Sequence, residues 1–336
     1  MKNVFWVSAI LGSVALAGPI HAGEALAQDA APVTIKVGTS YPGIETMPIY
    51  VAREQGYFRN EHLAVDLISL ATGDKIAFAI LGGSIDVARY TPDWIIRAIE
   101  KGGSNLKIVL GTSNSLIFSL VATNEVKSYS DLKGKRIGVS TIAAADASLV
   151  IKMLAARGLN KGEYSLIQAG SSPERAAALK AGSLAATLLT PPIDQRIIDE
   201  GGFKRLDLST DVITRYAWGA EAVREDWARA NRATLVAYMR AWIKASRWQR
   251  DPSNKEDVIR ILAREARADD HYARGMYDLY YGRNSIAVGK DGELDLIGYQ
   301  ALLNDMIERG QIDLKGSAPE KYIDATYWEE ARKTIY

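Results

Sequence analysis

Lys36-Val37-Gly38-Thr39-Ser40 and Arg136-Ile137-Gly138-Val139-Ser140 are two copies of one pattern, separated by 100 residues. Each copy is a short, mainly apolar run that ends in a hydroxyl residue, as a buried strand leading into a loop does. Two further matches follow at offsets of 102 and 99: Gln55-Gly56 with Arg157-Gly158, and Gly83-Ser84-Ile85 plus Thr91-Pro92 with Gly182-Ser183-Leu184 plus Thr190-Pro191. The sequence therefore predicts a duplicated α/β unit, although any two βαβ units share part of this pattern.

Short apolar runs alternate with amphipathic stretches from Val33 onward, which is typical of βα units around a mostly parallel sheet. The predicted strands are 34–38, 65–70, 85–88, 106–110, 136–139, 165–168 and 186–189. The predicted helices between them are 48–55, 74–81, 92–100, 144–156, 173–180 and 192–200. Two such α/β lobes facing one another would form a central cleft.

The chain changes character after Tyr216. Residues 224–249 read as one long helix with apolar side chains at helical spacing, which Asp251-Pro252 ends. Further helices are predicted at 255–267, 269–281, 294–308 and 328–333. We expect this helical C-terminal tail to contain no strand of its own and to pack on one lobe as a buttress.

Composition excludes several classes of protein. The 336 residues carry a formal net charge of +1 and no basic run, so there is no electrostatic signal for nucleic acid. Hydrophobic residues make up 48 % of the chain, which is enough to form a core. The absence of cysteine excludes thiolate catalysis, thiolate zinc sites, iron–sulfur clusters and disulfides.

The N-terminus reads as a secretory signal peptide spanning residues 1–27. Lys2 precedes an apolar stretch over residues 4–17, Gly18-Pro19 breaks it, and Ala25-Leu26-Ala27 supplies the small residues of a cleavage site. The apolar stretch is shorter than the roughly 20 residues of a membrane span. Cleavage after Ala22 is the alternative. With no later span and no lipid-bearing cysteine, we expect a freely soluble periplasmic protein.

Catalysis is weakly supported by the sequence. His62 and His271 have no motif partner, and no nucleophile elbow, metalloprotease motif, P-loop or dinucleotide fingerprint occurs. The nearest candidate acids or bases, Asp93, Asp146 and Asp194, stand at predicted helix starts, where aspartate is a common cap. We therefore predict a protein that is not an enzyme and has no metal or cofactor.

Ligand binding is better supported, because ligands of open α/β sheets sit beyond the carboxyl ends of the strands. Hydroxyl residues there stand beside helix N-termini, whose free N–H groups suit an oxyanion, although each hydroxyl is also an ordinary helix cap. Aromatic residues at the same strand ends suit a ligand with an organic body. Arginines nearby offer a bidentate fork to an anion, although Arg175 and Arg196 point into predicted helices and are expected to be solvated. The aromatic residues are Tyr41, Tyr90, Trp94, Phe118, Tyr216 and Trp218, and the arginines are Arg89, Arg175, Arg196 and Arg215.

Several segments resemble the nitrate/taurine/sulfonate class of ABC-transporter solute-binding proteins, which also includes binders of pyrimidine precursors. Residues 48–58, Pro-Ile-Tyr-Val-Ala-Arg-Glu-Gln-Gly-Tyr-Phe, are similar to the family's first-helix signature, and residues 82–88 to its second-helix exit. Residues 131–139, Asp-Leu-Lys-Gly-Lys-Arg-Ile-Gly-Val, look like its most specific segment. The likeness extends through 171–175, 178–182 and 189–192 and covers about Val33 to Asp226. His62 stands where the family usually has Gly.

The resemblance implies a two-lobed fold of the periplasmic-binding-protein type II class, with two doubly wound mixed sheets and strand crossovers near 114–120 and 214–219. Lobe 1 would comprise residues 33–115 and 220–336, and lobe 2 residues 116–219. Delivery to an ABC permease and its ATPase is implied. The ligand-binding positions carried over are Ser40, Tyr41, Tyr90, Thr91, Asn114, Ser115, Ser140, Thr141, Thr190, Pro191, Tyr216 and Trp218.

The leading hypothesis is an extracytoplasmic receptor that captures a small organic anion, a sulfonate or carboxylate, by hinge closure. No residue set fixed for nitrate, taurine or pyrimidine is present. A pyrimidine- or flavin-type ring solute is the alternative ligand. An exported enzyme and a sensory accessory protein on the same scaffold are the alternative functions, although the eukaryotic enzyme relatives depend on a Cys-rich segment that this chain lacks. We expect a monomer.

Overall fold

The alternation of apolar runs and helix starts in the sequence becomes an alternation of strands and helices in the structure. The computed structural model describes residues 31–336, apart from 41, 42, 71, 103, 104, 116, 143, 283, 284, 286, 287, 314–316 and 336. Contacts divide the chain after Ala31, and Pro32–Tyr336 forms one compact unit. The predicted signal peptide and the predicted site residue Tyr41 lie outside the described residues.

The strands of the described chain are short, as is usual for a doubly wound fold. In chain order they are β1 (Val33–Thr39), β2 (Leu63–Ser69), β3 (Val87–Tyr90), β4 (Leu106–Ser113), β5 (Ser119–Thr123), β6 (Arg136–Val139), β7 (Ser165–Gln168), β8 (Ala186–Leu189), β9 (Phe203–Leu208) and β10 (Gly219–Arg224).

The helices of the described chain lie between these strands and in the C-terminal third. They are α1 (Met47–Glu54), α2 (Tyr57–Asn60), α3 (Gly73–Leu81), α4 (Pro92–Gly102), α5 (Ala145–Ala156), α6 (Ser172–Lys180), α7 (Ile193–Asp199), α8 (Glu225–Ala230), α9 (Arg232–Trp248), α10 (Lys255–Ala266), α11 (Asp270–Tyr281), α12 (Leu296–Glu308) and α13 (Thr326–Lys333).

Two five-stranded sheets have the same strand pattern. The first sheet has the order β2-β1-β3-β10-β4 and the second the order β7-β6-β8-β5-β9. The first three strands of each sheet run parallel, while β10 and β5 pair antiparallel with both of their neighbours. The fourth strand of the second sheet, β5, directly follows the strands of the first copy of the repeat, and the fourth strand of the first sheet, β10, follows those of the second copy. This confirms the α/β class with two mixed sheets; the lobe boundaries at 115/116 and 219/220 stay a prediction.

The duplicated glycines have the same packing role in both sheets. Gly38 pairs with Ala88, and Gly138 pairs with Thr187. A Cβ on Gly38 would overlap the Ile85 side chain, and one on Gly138 would lie 2.5 Å from Cδ1 of Leu184. Only a residue without a side chain leaves room for the apolar residue that the second repeated motif supplies.

The tail packs on the first sheet largely as predicted. Helices α9, α10, α11 and α13 share one apolar core with α1, β1 and β10, in which Tyr238 and Trp242 of α9 are fully buried. Burying an aromatic side chain of this size contributes about 2–3 kcal/mol. The buttress expected from the sequence is therefore a large part of the core of the first sheet.

Two predictions about the tail are wrong. The single helix predicted over 224–249 is two helices, because Asn231 turns out of helical geometry (φ −119°, ψ 32°) and donates its side-chain amide to the Trp227 carbonyl at 2.9 Å. The tail also contributes a strand, since β10 extends to Arg224. The strand escaped prediction because Glu221 interrupts its apolar run. Within the described residues, no helix is both long enough and apolar enough to cross a membrane.

Candidate ligand-binding site

The loop after β1 places a carboxylate at the end of the first sheet. Glu45 lies in a short 3₁₀ turn, Ile44–Thr46, immediately before α1. A third of its side chain is solvent accessible. Burial nevertheless raises the pKa of this carboxyl, against the opposing charge of Arg89 and a hydrogen bond from the Trp218 side chain.

The Arg89 side chain packs against this turn. Its side chain is 6 % exposed, and Nη2 donates to the Glu45 main-chain carbonyl and lies 4.0 Å from the Glu45 carboxylate. Nε lies 4.0 Å from Oε1 of Glu221, which is directly opposite Arg89 in the β3–β10 ladder. The guanidinium is therefore held between two carboxylates.

Glu221 is a buried carboxyl. Its side chain is 1 % exposed. Burial raises its pKa to about 7, although Arg89 and the Tyr238 hydroxyl act in the opposite direction. Near neutral pH, both the protonated and the ionised form of this carboxyl group are therefore populated.

Two aromatic side chains meet where the chain crosses between the sheets, one from each crossover. Trp218 precedes β10 and Phe118 precedes β5, and their rings meet edge to face with centroids 5.9 Å apart. The backbones of the crossovers are also bonded to each other, because Tyr216 N–H donates to the Asn114 carbonyl and Trp218 N–H to the Ser113 carbonyl, both at 3.0 Å. The two crossovers are therefore held side by side where the chain passes between the sheets.

The corresponding loop of the second sheet also carries a carboxylate. Asp146 accepts hydrogen bonds from the N–H of Ser140 at 2.7 Å and from its hydroxyl at 2.6 Å. Nη1 of the buried Arg175 lies 3.6 Å from the same carboxylate. Asp146 follows Glu45 at an offset of 101, within the range of the repeat. The predicted anion-binding donors of Ser140 are thus occupied by the chain's own carboxylate.

The other predicted ligand-binding residues of the second sheet lie near helix starts. The Thr190 carbonyl accepts from the N–H groups of Ile193 and Asp194 at the start of α7, and its hydroxyl lies 3.3 Å from Oγ of Ser172. Pro191, which follows, is half-buried. Thr141 is exposed. These residues lie together at the carboxyl end of the second sheet, as the sequence predicts.

At the first sheet, Tyr90 and Thr91 end β3 and lead into α4. Tyr90 is half-buried against the start of α3, where a Cβ on Gly73 would lie 2.6 Å from its ring. Desolvation and the charge of Asp93 raise the pKa of the Tyr90 hydroxyl. Thr91 accepts the N–H of Trp94 with its carbonyl, and Ser40 accepts the Ser69 hydroxyl with its carbonyl at 3.0 Å.

The structure separates Tyr216 from this group. Its side chain is buried, and its hydroxyl donates to Asp305 of α12 at 2.9 Å. Asp305 also accepts from Lys152 of α5 at 2.7 Å. Asp305 thus links α12 to α5, and the Tyr216 side chain is committed to this network inside the fold.

Asn114 and Ser115 follow β4. Ser115 is buried, and its carbonyl accepts the Ser113 hydroxyl at 3.0 Å. Asn114 lines an open cavity of about 640 Å³ whose other walls come from the second crossover and the segment before α12. The lining residues are Asn114, Thr214, Arg215, Gly289, Lys290, Glu293, Leu294, Asp295, Leu296 and Ile297.

The three candidate acids of an enzyme are each engaged in contacts of the fold. Asp93 pairs with Arg97 at 3.5 Å, Asp146 holds Ser140, and the buried Asp194 pairs with Arg205 at 2.9 Å. Among the described residues, no group of His, Asp or Glu is arranged to hold a metal ion.

Sequence reasoning missed Glu45, and a signal for it was present. The repeat aligns Glu45 with Asp146, so an acidic residue recurs after the first strand of each copy. Arg89 was predicted as a possible fork for an anion, but its burial between Glu45 and Glu221 gives it an internal partner on each side.

A family model for the NMT1-like family matches residues 28–263. The chain belongs to this family. Among curated proteins, it is 22 % identical over 240 residues to the bicarbonate transport ATP-binding protein CmpC of Synechocystis and 20 % identical over 244 residues to the nitrate/nitrite binding protein NrtA of Nostoc. Each match covers 66 % of this chain, and it spans 36 % of CmpC and 55 % of NrtA.

Solved structures share the fold with this family member. The aliphatic sulphonate binding protein SsuA of Escherichia coli has a TM-score of 0.71 at 17 % identity, covering 87 % of this chain and 92 % of that one. The desulfurization enzyme DszB has a TM-score of 0.70 at 13 % identity, covering 90 % and 99 %. The chain therefore has the two-lobed fold of periplasmic solute-binding proteins, and this fold also carries an enzyme.

Proposed function

We propose that this NMT1-like family member is an extracytoplasmic receptor of an ABC importer, which captures a small solute between its two sheets and delivers it to a membrane permease with a cytoplasmic ATPase. The observation that carries the proposal is the pair of hydrogen-bonded crossovers between two sheets of identical strand order. Two rigid units joined by two adjacent strands can move about those strands and little elsewhere.

Closure would be driven by the solute itself. A ligand shifts a conformational equilibrium only by its difference in affinity for the two states, so it must contact both units when they are closed. The loops that end β1, β3, β6 and β8 supply the contacts on the two sides, and Trp218 and Phe118 supply apolar surface at the crossovers.

Location and partners complete this proposal. The signal peptide predicted over residues 1–27 would place the mature protein in the periplasm as a monomer that touches the membrane only through its transporter. The binding proteins NrtA and SsuA support transport. Catalysis remains the alternative supported by DszB, but the candidate aspartates of this chain are engaged in contacts of the fold.

Small-angle scattering and calorimetry test the receptor function. Purified mature protein should bind one member of a panel of sulfonates, carboxylates, nitrate, pyrimidines and flavins, and its radius of gyration should fall on binding. Thr141→Ala and Thr190→Ala should weaken the binding of that compound and leave the unfolding temperature nearly unchanged. A radius that stays constant at saturation, or turnover of the bound compound, would contradict the proposal.

A further inference from the structure

We infer that the open cavity beside the outer edges of β4 and β9 is a second ligand site, which takes a small zwitterion with a short aliphatic body and whose occupant opposes closure of the two sheets. The cavity has a volume of about 640 Å³, within the size range of small-molecule sites. Its effect on closure rests on the proposed receptor function, whereas the binding itself is independent of that function.

The cavity lies on the far side of the crossovers from the predicted ligand-binding loops. In the first sheet those loops follow β1 and β3, on one side of β10, whereas β4 is the edge strand on the other side. The outer edge of β4 bonds to the segment before α12, because the N–H of Gly111 donates to the Gly292 carbonyl at 3.0 Å. In the second sheet, β9 is the corresponding edge strand, and Thr214 of the cavity wall follows it. Of the predicted ligand-binding residues that the structure describes, Asn114 alone lines the cavity.

Two charged side chains of the cavity wall are available to a ligand. Lys290 is exposed and Glu293 is half-buried, and neither forms an ion pair within the part of the chain that the structure describes. The Glu293 carboxylate accepts the N–H of Asp291 at 3.2 Å. The other two charges of the wall satisfy each other, because Arg215 donates through both Nε and Nη2 to Asp295. A ligand therefore meets one free cation and one free carboxylate.

Gly289 sets the position of the Glu293 carboxylate. A Cβ at position 289 would overlap Oε2 of Glu293 and would lie 3.0 Å from the side-chain nitrogen of Asn114. The charge of Glu293 also reaches Arg247 and Arg250, but these arginines bond to another carboxylate and to a main-chain carbonyl. A carboxylate offers about four lone-pair positions, so Glu293 retains acceptor capacity for an ammonium group.

The rest of the wall is largely apolar. Leu296 and Ile297 at the start of α12 are 43 % and 60 % exposed, and Leu294 just before them is half-buried. A short aliphatic body placed here would remove apolar surface from water on both sides of the contact. An ammonium for Glu293, a carboxylate for Lys290 and a hydrocarbon body together describe a zwitterion of amino-acid size.

The position of the cavity couples it to closure. One wall follows the edge strand of the second sheet, and another is bonded to the edge strand of the first. A rotation about the crossovers that brings the loops after β1 and β6 together moves the outer edges of β4 and β9 apart. A molecule that bridges these walls therefore binds the open state better and shifts the equilibrium toward it.

Leucine and three analogues test the ligand class. 3-Methylbutylamine lacks the carboxylate of leucine, 4-methylpentanoate lacks its ammonium group, and glycine lacks its aliphatic body. By calorimetry, we expect leucine to bind and each analogue to bind about tenfold or more weakly.

Two variants assign the charges. Glu293→Gln should weaken the binding of leucine and 3-methylbutylamine and leave that of 4-methylpentanoate unchanged, whereas Lys290→Gln should weaken leucine and 4-methylpentanoate only. Glu125→Gln and Lys127→Gln, at exposed positions of the second sheet, are the matched controls and should change no affinity. The unfolding temperature of each variant without ligand establishes that it is folded.

Scattering tests the effect on closure. Leucine alone should leave the radius of gyration constant, and it should weaken the binding of any solute that contracts the protein by the factor by which that solute weakens leucine. Failure of leucine to bind up to its solubility limit, wild-type affinity in both charge variants, or contraction by leucine would each overturn the inference. If no solute contracts the protein, the receptor function fails, and calorimetry of the charge variants decides the second site by itself.

Discussion

At the scale of single residues, the first sheet contains a buried ion pair. Arg89 and Glu221 face each other across β3 and β10, and neither side chain reaches solvent to any extent. A buried ion pair seldom adds stability, because desolvation offsets the attraction between the charges. The raised pKa of Glu221 reflects the cost of desolvating its carboxylate, and it makes the stability of the fold depend on pH.

Glu221→Gln should therefore stabilise the protein at high pH and not at low pH. The pKa of Glu221 lies above its ordinary value of 4.5, at about 7. Its neutral form favours the folded state, so this contribution is complete below about pH 4.5 and is lost as the pH rises through 7. At pH 8 the glutamine variant should be more stable by about 2–3 kcal/mol.

Urea unfolding at pH 5 and pH 8 measures this difference, with Glu125→Gln as the exposed control. An equal change at both pH values would contradict the assignment of a raised pKa. A lower stability of Glu221→Gln than of wild type at pH 8 would show that the attraction between Arg89 and the Glu221 carboxylate exceeds the cost of burying that carboxylate.

At the scale of elements, the parallel strands were predictable from apolar runs, and the crossover strands only from the family resemblance. β6, β7 and β8 have the bounds read from the sequence, because each is a short apolar run between turn residues. β5 and β10 were expected only as crossovers near 114–120 and 214–219, and β9 escaped prediction. β9 is half-buried along its length and β10 contains Glu221, so neither shows a continuous apolar run. The prediction of one long helix in the tail was wrong because the side chain of Asn231 bonds locally, to the Trp227 carbonyl.

The strand-end positions of the predicted site residues could be read from the sequence, but their bonding partners could not. Ser40, Thr91, Ser140 and Thr190 do lie at strand ends, since hydroxyls before helix starts have a strong local signature. That Asp146 uses the donors of Ser140, and that Tyr216 bonds Asp305, depends on side chains between 6 and 89 positions away, for which the sequence carries no pattern.

Gly38→Ala and Gly138→Ala should both destabilise the protein, because the added methyl group meets Ile85 in one sheet and Leu184 in the other. Overpacking of this kind costs about 1–3 kcal/mol. Gly275→Ala, in the exposed part of α11 with no atom near the new Cβ, is the control and should stabilise by about 0.5–1 kcal/mol.

Chemical denaturation measures all three glycine variants under the same conditions. If Gly38→Ala were destabilising and Gly138→Ala neutral, the two halves of the repeat would not share one packing scheme, and the internal duplication would be limited to strand order.

At the scale of the whole molecule, the second sheet and the tail also meet away from the crossovers. Arg196 of α7 lies over the ring of Tyr272 of α11 at 5.0 Å, and Asp199 lies 3.1 Å from Nε2 of His271. α7 follows β8 of the second sheet, whereas α11 packs on the first. A contact between units that move relative to one another would bias their equilibrium.

Tyr272→Ala should therefore enlarge the unliganded protein. A cation–π contact at an exposed site is worth about 0.5–1 kcal/mol, enough to change a two-state population by up to about fivefold. Small-angle scattering should detect a larger radius of gyration than in wild type. Arg332→Ala, at an exposed position, removes a comparable cation–π contact with Trp328 inside α13 and is the control; an equal radius in both variants would exclude a role for α7 and α11 in closure.

The exchange of β5 and β10 also bears on how the chain is made. β3 and β4 of the first sheet are neighbours only through β10, whose residues Gly219–Arg224 are synthesised more than a hundred positions after β4 ends. A ribosome that has released the first 115 residues has therefore released four of the five strands of the first sheet, without the strand that joins β3 to β4. The hydrogen-bond ladder of this sheet can be completed only after the whole of the second sheet has been synthesised.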